Sequence, residues 1–306
     1  GFSIPSSVLF TEKETSICQD ILKRARYKKS VIYDTKKMLG CNFDDEKIQE
    51  LKKELPFEIE TNEENEILIK PSEISHTIYP YEATGIILQK LVERGNECLP
   101  KEERSNKIVI AAPGYFNEKQ IEDLKRSVEY AKLKVSQIIS EPAAICISYQ
   151  YEKITNKKRT VIVFDFGSEN LNVSLLEVEN QKYKLISVEQ EKNIGSKFID
   201  ENIYQFLITN EGLEKYEEEK NLRKKYNLLK EIEDGKIMLA NSDGDFEVEI
   251  YDDLNDKCCM LKVKEFDEIN KQIIESIHLP IQRILDRNNL KIDEIDDILL
   301  SGGSCN

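Results

Sequence analysis

Apolar positions along the chain recur with two different periods, and the changes between them mark its elements. "SIPSSVLFTEKETSI" (3–17) alternates on either side of a polar turn at 12–14, which predicts a short hairpin. Helix-like stretches follow at 16–27 and 44–55, separated by "SVIYDTKKMLG", and two short strands are expected at 57–61 and 66–70. A helix is predicted from 80 to 98, with Pro80 in the first turn, where a missing N–H costs nothing. "NKIVIAAPG" (106–114) reads as a buried strand ending at a Pro-Gly turn. Asn117 caps the next helix, Gln120 completes its capping box, and Ile121, Leu124, Val128 and Ala131 share one face. A strand at 135–140 leads to Pro142, which places Glu141 at the mouth of a further helix.

The polar stretch "EKITNKKRT" (152–160) precedes a change of pattern. A three-strand meander follows at 160–166, 171–178 and 183–190, with "ENQK" as its second turn. Helices are expected at 196–209 and 215–240, a hairpin from "DFEVEIYDD" and "KCCMLKVK", and a long helix over 264–287 that bends at Pro280. The chain closes on "DDILLSGGSCN", a strand running into a double-glycine turn. This order predicts an α/β protein with lobe I over 1–154 and lobe II over 155–306, the latter carrying an upper helical and hairpin subdomain at 194–273. "IVIAAPG" and "ILLSGGS" echo one another as apolar strands ending in small-residue turns, and two such units facing each other would form a cleft.

Composition narrows the chemistry. A length of 306 residues allows two lobes, and 40% hydrophobic with 33% charged residues is the balance of a globular chain. No apolar run approaches the ~18 residues that span a bilayer, and no signal peptide is visible, so no membrane partner is expected. The net charge of −14 repels phosphate backbones, so nucleic acid is not an expected partner either. The basic runs "LKRARYKK" and "LRKKY" read as solvated helix faces, with partner patches as the alternative. Seven cysteines without a CxxC, beside only His76 and His278, supply no zinc set, and scattered thiols favour the cytoplasm over the lumen of the endoplasmic reticulum. Adjacent Cys258 and Cys259 read as strand neighbours, the "NVS" at Asn172 as a mid-strand sequon without glycan, and Cys305 as a small filler without a histidine partner.

Candidate chemistry concentrates in "VFDFGSENLNVS" (163–174), where an apolar strand ends on Asp165 beside a turn at Gly167. Consecutive backbone N–H groups in such a turn bind phosphate oxygens, and a strand-end carboxylate is a hard ligand suited to hydrated Mg²⁺. The stretch "VFDFGSENLNVSLLEV" resembles the second phosphate-binding hairpin of the 70-kDa heat-shock chaperones, within the actin, hexokinase and heat-shock ATPase superfamily. Further blocks resemble that family in the same order: "IPSSVLF", "YDTKKMLGCNFDD", "APGYFNEKQ", "IISEPAAICISY" and "ILLSGGS". The resemblance implies a two-lobed actin-like ATPase fold with a central nucleotide cleft, here lacking the first phosphate hairpin and the C-terminal end. It also implies ATP or ADP with Mg²⁺ as cofactor, and as partners unfolded or nascent polypeptide together with J-domain or nucleotide-exchange co-chaperones.

Carried over residue by residue, the resemblance makes Lys36 the lysine that orients the attacking water. Glu141 becomes the glutamate of the Mg²⁺ water shell, Asp165 the hairpin aspartate and Pro113 the interlobe switch proline. Gly167, Ser168 and Asn170 stand in the phosphate turn, with Glu169 and Ser168 in place of two glycines and Asn172 in place of a cation-holding aspartate. Gly195 stands in "IGSKFID", where the family has a second glycine at Ser196. Glu233 and Lys236 are the ribose-side residues, and Gly302, Gly303 and Ser304 the last nucleotide turn. Ile237 and Asn306 occupy adenine-stacking arginine positions, and Ala240 a serine position. These departures predict an atypical member acting as chaperone regulator or co-chaperone with weak or static ATP binding and slow or absent hydrolysis. The alternative is an active ATP-hydrolysing chaperone motor; a sugar kinase lacks its motifs.

Overall fold

The computed structural model describes residues 4–18, 26–150, 157–211, 214, 222–240, 248–252 and 257–305; at 211, 222, 223, 240, 248–252 and 257–260 it describes the backbone alone. Contacts separate two compact units, Gly1–Ile139 and Ser140–Asn306.

In the first unit, β1 (Ser7–Phe10) pairs antiparallel with β2 (Thr15–Ile17) and with β3 (Val31–Tyr33). Thr11 and Glu14 exchange main-chain hydrogen bonds of 2.9 and 3.3 Å, which close the predicted turn. The helix expected from residue 16 therefore begins as strand: Ile17 pairs with Val8, and the Cys18 N–H donates to the Ser7 carbonyl. Residues 19–25 of that stretch lie outside the described residues. Helices α1 (Thr35–Met38) and α2 (Glu46–Glu54) and the hairpin β4 (Glu58–Thr61) with β5 (Ile67–Lys70) follow. Their alternating apolar positions, among them Ile32, Met38, Ile48, Ile59 and Ile69, bury together into one core.

Helix α3 (Pro80–Glu97) starts on Pro80 as predicted and packs against α4 (Glu118–Tyr130), which opens with the Asn117–Gln120 capping box. Leu124 and Val128 form the buried face of α4 with Ile110 and Ala112 of β6 (Lys107–Ala112). β6 is not the buried strand that its apolar run predicts. Within the described residues it pairs only with β7 (Lys134–Ser140), and Val109 is 57% exposed.

The second unit is built on the four-stranded sheet β10-β9-β8-β13. β8 (Arg159–Phe166), β9 (Asn170–Glu179) and β10 (Lys182–Lys192) form the expected meander. Asn180 and Gln181 both take positive φ (48° and 62°) in the two-residue turn, a backbone that matches strand twist. β13 (Asp297–Ser301) lies parallel to β8, with Ser301 opposite Asp165. Both sheet faces are covered. Val161, Val163, Leu176 and Leu299 pack against Cys146 of α5 (Glu141–Ser148). Ile162, Phe164 and Val173 on the other face meet Ile284 and Leu285 of α10 (Leu279–Arg287).

A second core joins α6 (Ser196–Glu211), α7 (Leu222–Ala240) and α8 (Val263–Ile269) to Leu261 of β12 (Lys257–Leu261), which pairs with β11 (Val248–Asp252). Residues 215–221 of the helix expected over 215–240 lie outside the described residues. The single long helix expected over 264–287 is three: α8, α9 (Lys271–Ser276) and α10. Asn270 breaks the first junction. It is wholly buried, its side-chain amide donates to the Phe266 carbonyl at 3.0 Å, and its Oδ1 accepts from Asn202 at 3.2 Å. Pro280, at the start of α10, enforces the second, since it has no N–H and its ring excludes a carbonyl four residues earlier. Among the described residues no helix is long and apolar enough to cross a membrane.

Candidate functional site

Three turns of the second unit meet at one end of the sheet. β8 ends with Asp165 half-buried and Phe166 still in the core, and the Gly167 N–H donates to the Asn170 carbonyl (3.1 Å), closing the turn into β9. Parallel pairing of β13 brings Gly302 against the same backbone. A Cβ placed there would lie 2.1 Å from the Phe166 carbonyl oxygen, and φ is +92°, so two separate constraints demand glycine. The third turn follows β10. A Cβ on Gly195 would lie 2.4 Å from the Ser168 carbonyl oxygen, so that glycine lets two main chains touch. The Ser304 hydroxyl ties the last turn to the first by donating to the Gly167 carbonyl at 2.8 Å.

The start of α6 completes this interlock. An α-helix leaves four leading N–H groups without partners inside the helix. In α6 the Ser196 N–H donates to the Gly167 carbonyl (3.4 Å) and that of Lys197 to the Ser168 carbonyl (2.9 Å), while Phe198 and Ile199 bond within the helix's own first turn to Gly195 (3.1 and 3.3 Å). Two of the leading donors that would attract an anion are thus bonded to the carbonyls of the turn beside the helix.

Charges are also paired locally. The Lys197 ammonium lies 2.9 Å from the Glu169 carboxylate. Lys236 of α7 meets Asp200 of α6 at 2.5 Å, with side chains 14% and 17% exposed. Burial raises the Asp200 pKa from its ordinary value and outweighs the lowering by Lys236, while the Glu233 carboxylate adds to the rise. Strand register sets Asp165 between Asn172 and Ser301, and Gln190 donates to Asn172 Oδ1 at 3.1 Å. These four half-buried polar groups form a row across the sheet, on the face that α5 covers lower down. Burial pushes the Cys305 thiol up, and the nearby Asp165 charge adds to that rise, so this cysteine is held as a neutral thiol.

Of the residues expected at the site, Asp165, Gly167, Ser168, Asn170, Gly195, Gly302, Gly303 and Ser304 lie in or beside these turns. Glu141 opens α5, on the sheet face that carries Asp165, where Ser140 Oγ caps the Ala143 N–H at 3.4 Å. Lys236 is joined to the cluster through Asp200, and Glu233, one turn earlier on α7, is exposed. Lys36 belongs to α1 in the first unit, where Asp34, at φ 59°, precedes the helix, and Pro113 is buried just beyond β6. Ile237 is 51% exposed; the side chain of Ala240 and all of Asn306 lie outside what the structure describes. Sequence reasoning missed Lys197 and Asp200. Both stand in "IGSKFID", but their partners are 28 and 36 residues away, and no spacing rule links them.

Phosphate binding of the kind the turn suggests needs main-chain donors aimed at the ligand. Here the N–H groups of Gly167, Ser196 and Lys197 already serve carbonyls across the turns, and the nearest cation serves Glu169. These three donors are turned away from a closely held polyphosphate. Asp165 keeps the chemistry of a Mg²⁺-water ligand at the strand end. The sequence model of the Hsp70 protein family matches residues 2–306, essentially the whole chain. Proteins of that family are chaperones that bind ATP or ADP with Mg²⁺ and work on polypeptides with co-chaperone partners. With an α/β fold of several sheets, a meander ending in Asp165 and a parallel strand ending in Gly302, this chain belongs to the Hsp70 family.

Proposed function

We propose that this chain is an Hsp70-type nucleotide-binding domain with a regulatory rather than a motor role. It holds ATP or ADP with Mg²⁺ weakly or statically and hydrolyses ATP slowly or not at all. The observation that carries this reading is that the N–H groups of Gly167, Ser196 and Lys197 bond across the turns to main-chain carbonyls. Removing one donor that stabilises a transition state typically costs ~2.7–4 kcal/mol, about 10²–10³ in rate, so several such losses leave little turnover. The adenosine side supports the same reading. Ile237 offers no guanidinium where stacking would contribute ~0.5–2 kcal/mol, and Lys236 is engaged by Asp200.

On this reading Asp165 and Glu141 are the Mg²⁺-side carboxylates, acting through water, and Lys36 is the retained lysine. The partners are J-domain or nucleotide-exchange co-chaperones and polypeptide clients, in the cytoplasm. Retention of Lys36, Glu141 and Asp165 favours a second reading, a slow but genuine ATPase motor.

Calorimetric titration with ATP and Mg²⁺, followed by single-turnover phosphate release, tests the proposal. Weak binding without a burst is expected, and Ile237→Arg is expected to tighten binding. Sub-micromolar affinity with robust turnover that Lys36→Ala abolishes would overturn it and establish the motor reading.

A further inference from the structure

Within the three turns, residues 166–170, 194–200 and 301–305, the sequence supplies one cation, Lys197. Its ammonium donates to Glu169, 28 residues earlier, at 2.9 Å. The carboxylate is the more enclosed partner, with Glu169 25% exposed and Lys197 63%. An exposed ion pair between two mobile side chains contributes little, because both must be ordered to form it. This pair springs from backbones already fixed to each other. Gly167 to Asn170 closes one turn, Lys197 N–H to the Ser168 carbonyl joins the two, and Gly195 packs its main chain on Ser168.

We propose that Glu169 is a built-in occupant of the anion position at this turn, an autoinhibitory contact in which its carboxylate, clasped by Lys197, takes the place of an external phosphate. The proposal rests on reading the turn as the phosphate edge of the nucleotide site. A polyphosphate reaching Lys197 must displace Glu169 and then bear its repulsion. The contact therefore sets what the turn accepts: ligands without negative charge nearby are unaffected, and polyphosphates are disfavoured.

The test uses inorganic pyrophosphate rather than turnover. Affinity is measured by calorimetry at low ionic strength, with the amide shifts of Gly167, Ser168 and Lys197 in ¹⁵N-labelled protein as the local reporter. Glu169→Gln keeps the shape and removes the charge, and Glu169→Ala repeats the test if the amide misfolds; thermal unfolding reports folding of each. Removing a like charge a few ångströms from a multivalent anion is expected to tighten binding about tenfold, with shifts at those three amides, and added salt should shrink the gain. The double variant Glu169→Gln/Lys197→Gln should lose it. Equal affinity of the unmodified chain and the folded Glu169 variants overturns the inference, as does a gain that survives loss of Lys197. Tight ATP binding by the unmodified chain defeats the functional reading above, whereas the comparison between variants decides this inference independently.

Discussion

Gly195 and Gly302 differ from Gly167 and Gly303, although all four border the same three turns. A Cβ on either of the first two would sit inside another segment's main chain, at 2.4 Å from Ser168 and 2.1 Å from Phe166. A Cβ on Gly167 would meet only the Asn170 carbonyl at an ordinary 3.5 Å, and one on Gly303 would meet nothing within 4 Å. One side of the cluster is interlocked and the other is open. Glycines in a phosphate-turn pattern thus serve two purposes, close packing of main chains and clearance for a ligand. The interlocked pair performs the first whether or not nucleotide is bound, so its retention says little about catalysis. Clearance is where this chain departs, through Ser168 and the clasped Glu169.

Substitutions on the interlocked side should have the largest effects. Gly302→Ala combines backbone strain at φ +92° with an impossible contact, and is expected to lower unfolding free energy by about 3 kcal/mol or more. Gly195→Ala, strained by packing alone, should cost about 1–3 kcal/mol. Urea unfolding of each variant measures both, and equal stability to the unmodified chain would dissolve the comparison.

An intermediate effect is expected from the core beneath these turns. Cys146 of α5 is wholly buried, and burial pushes its thiol from 9.0 up to about 11. The folded state therefore holds this proton more tightly than the unfolded chain. Its contribution is full below pH 9.0 and is lost as pH rises towards about 11, a decline of at most about 2–3 kcal/mol. Unfolding measured across that range should show the decline, and Cys146→Ala should flatten it. The smallest effects belong to the open side: Gly167→Ala and Gly303→Ala should each change stability by less than about 1 kcal/mol in either direction. A Gly303→Ala loss as large as that of Gly302→Ala would refute the division into two sides.

Local chemistry made much of the fold legible. The Asn117–Gln120 box, Pro80 at a helix start, Pro142 behind Glu141 and the "ENQK" turn each act within a few residues, and each element forms where the sequence places it. Errors arose where distant partners decide. The helical pattern read from residue 16 overlaps the predicted hairpin, and pairing with β1 decides residues 16 and 17 for the strand. Val109 belongs to an apolar run, yet β6 pairs with β7 alone among the described residues and leaves it exposed. Asn270 ends a helix through a buried bond to Asn202, 68 residues away. Motif order singled out Asp165 and the three turns, which the structure brings together. The pairing of Glu169 with Lys197 was not legible, because residues on two different turns become neighbours only once Gly195 packs on Ser168.

The central claim is that the N–H groups of Gly167, Ser196 and Lys197 are already bonded inward, and amide hydrogen exchange at Lys197 tests it most directly. Its N–H donates to the Ser168 carbonyl at 2.9 Å. Exchange should be followed with and without saturating ADP and Mg²⁺, using Phe198 and Ile199 of the same helix turn as internal references. Protection of the Lys197 amide before nucleotide is added, unchanged afterwards, is the predicted result. Rapid exchange in the nucleotide-free chain that becomes slow only when ADP and Mg²⁺ bind would contradict it, since the donor would then be serving phosphate.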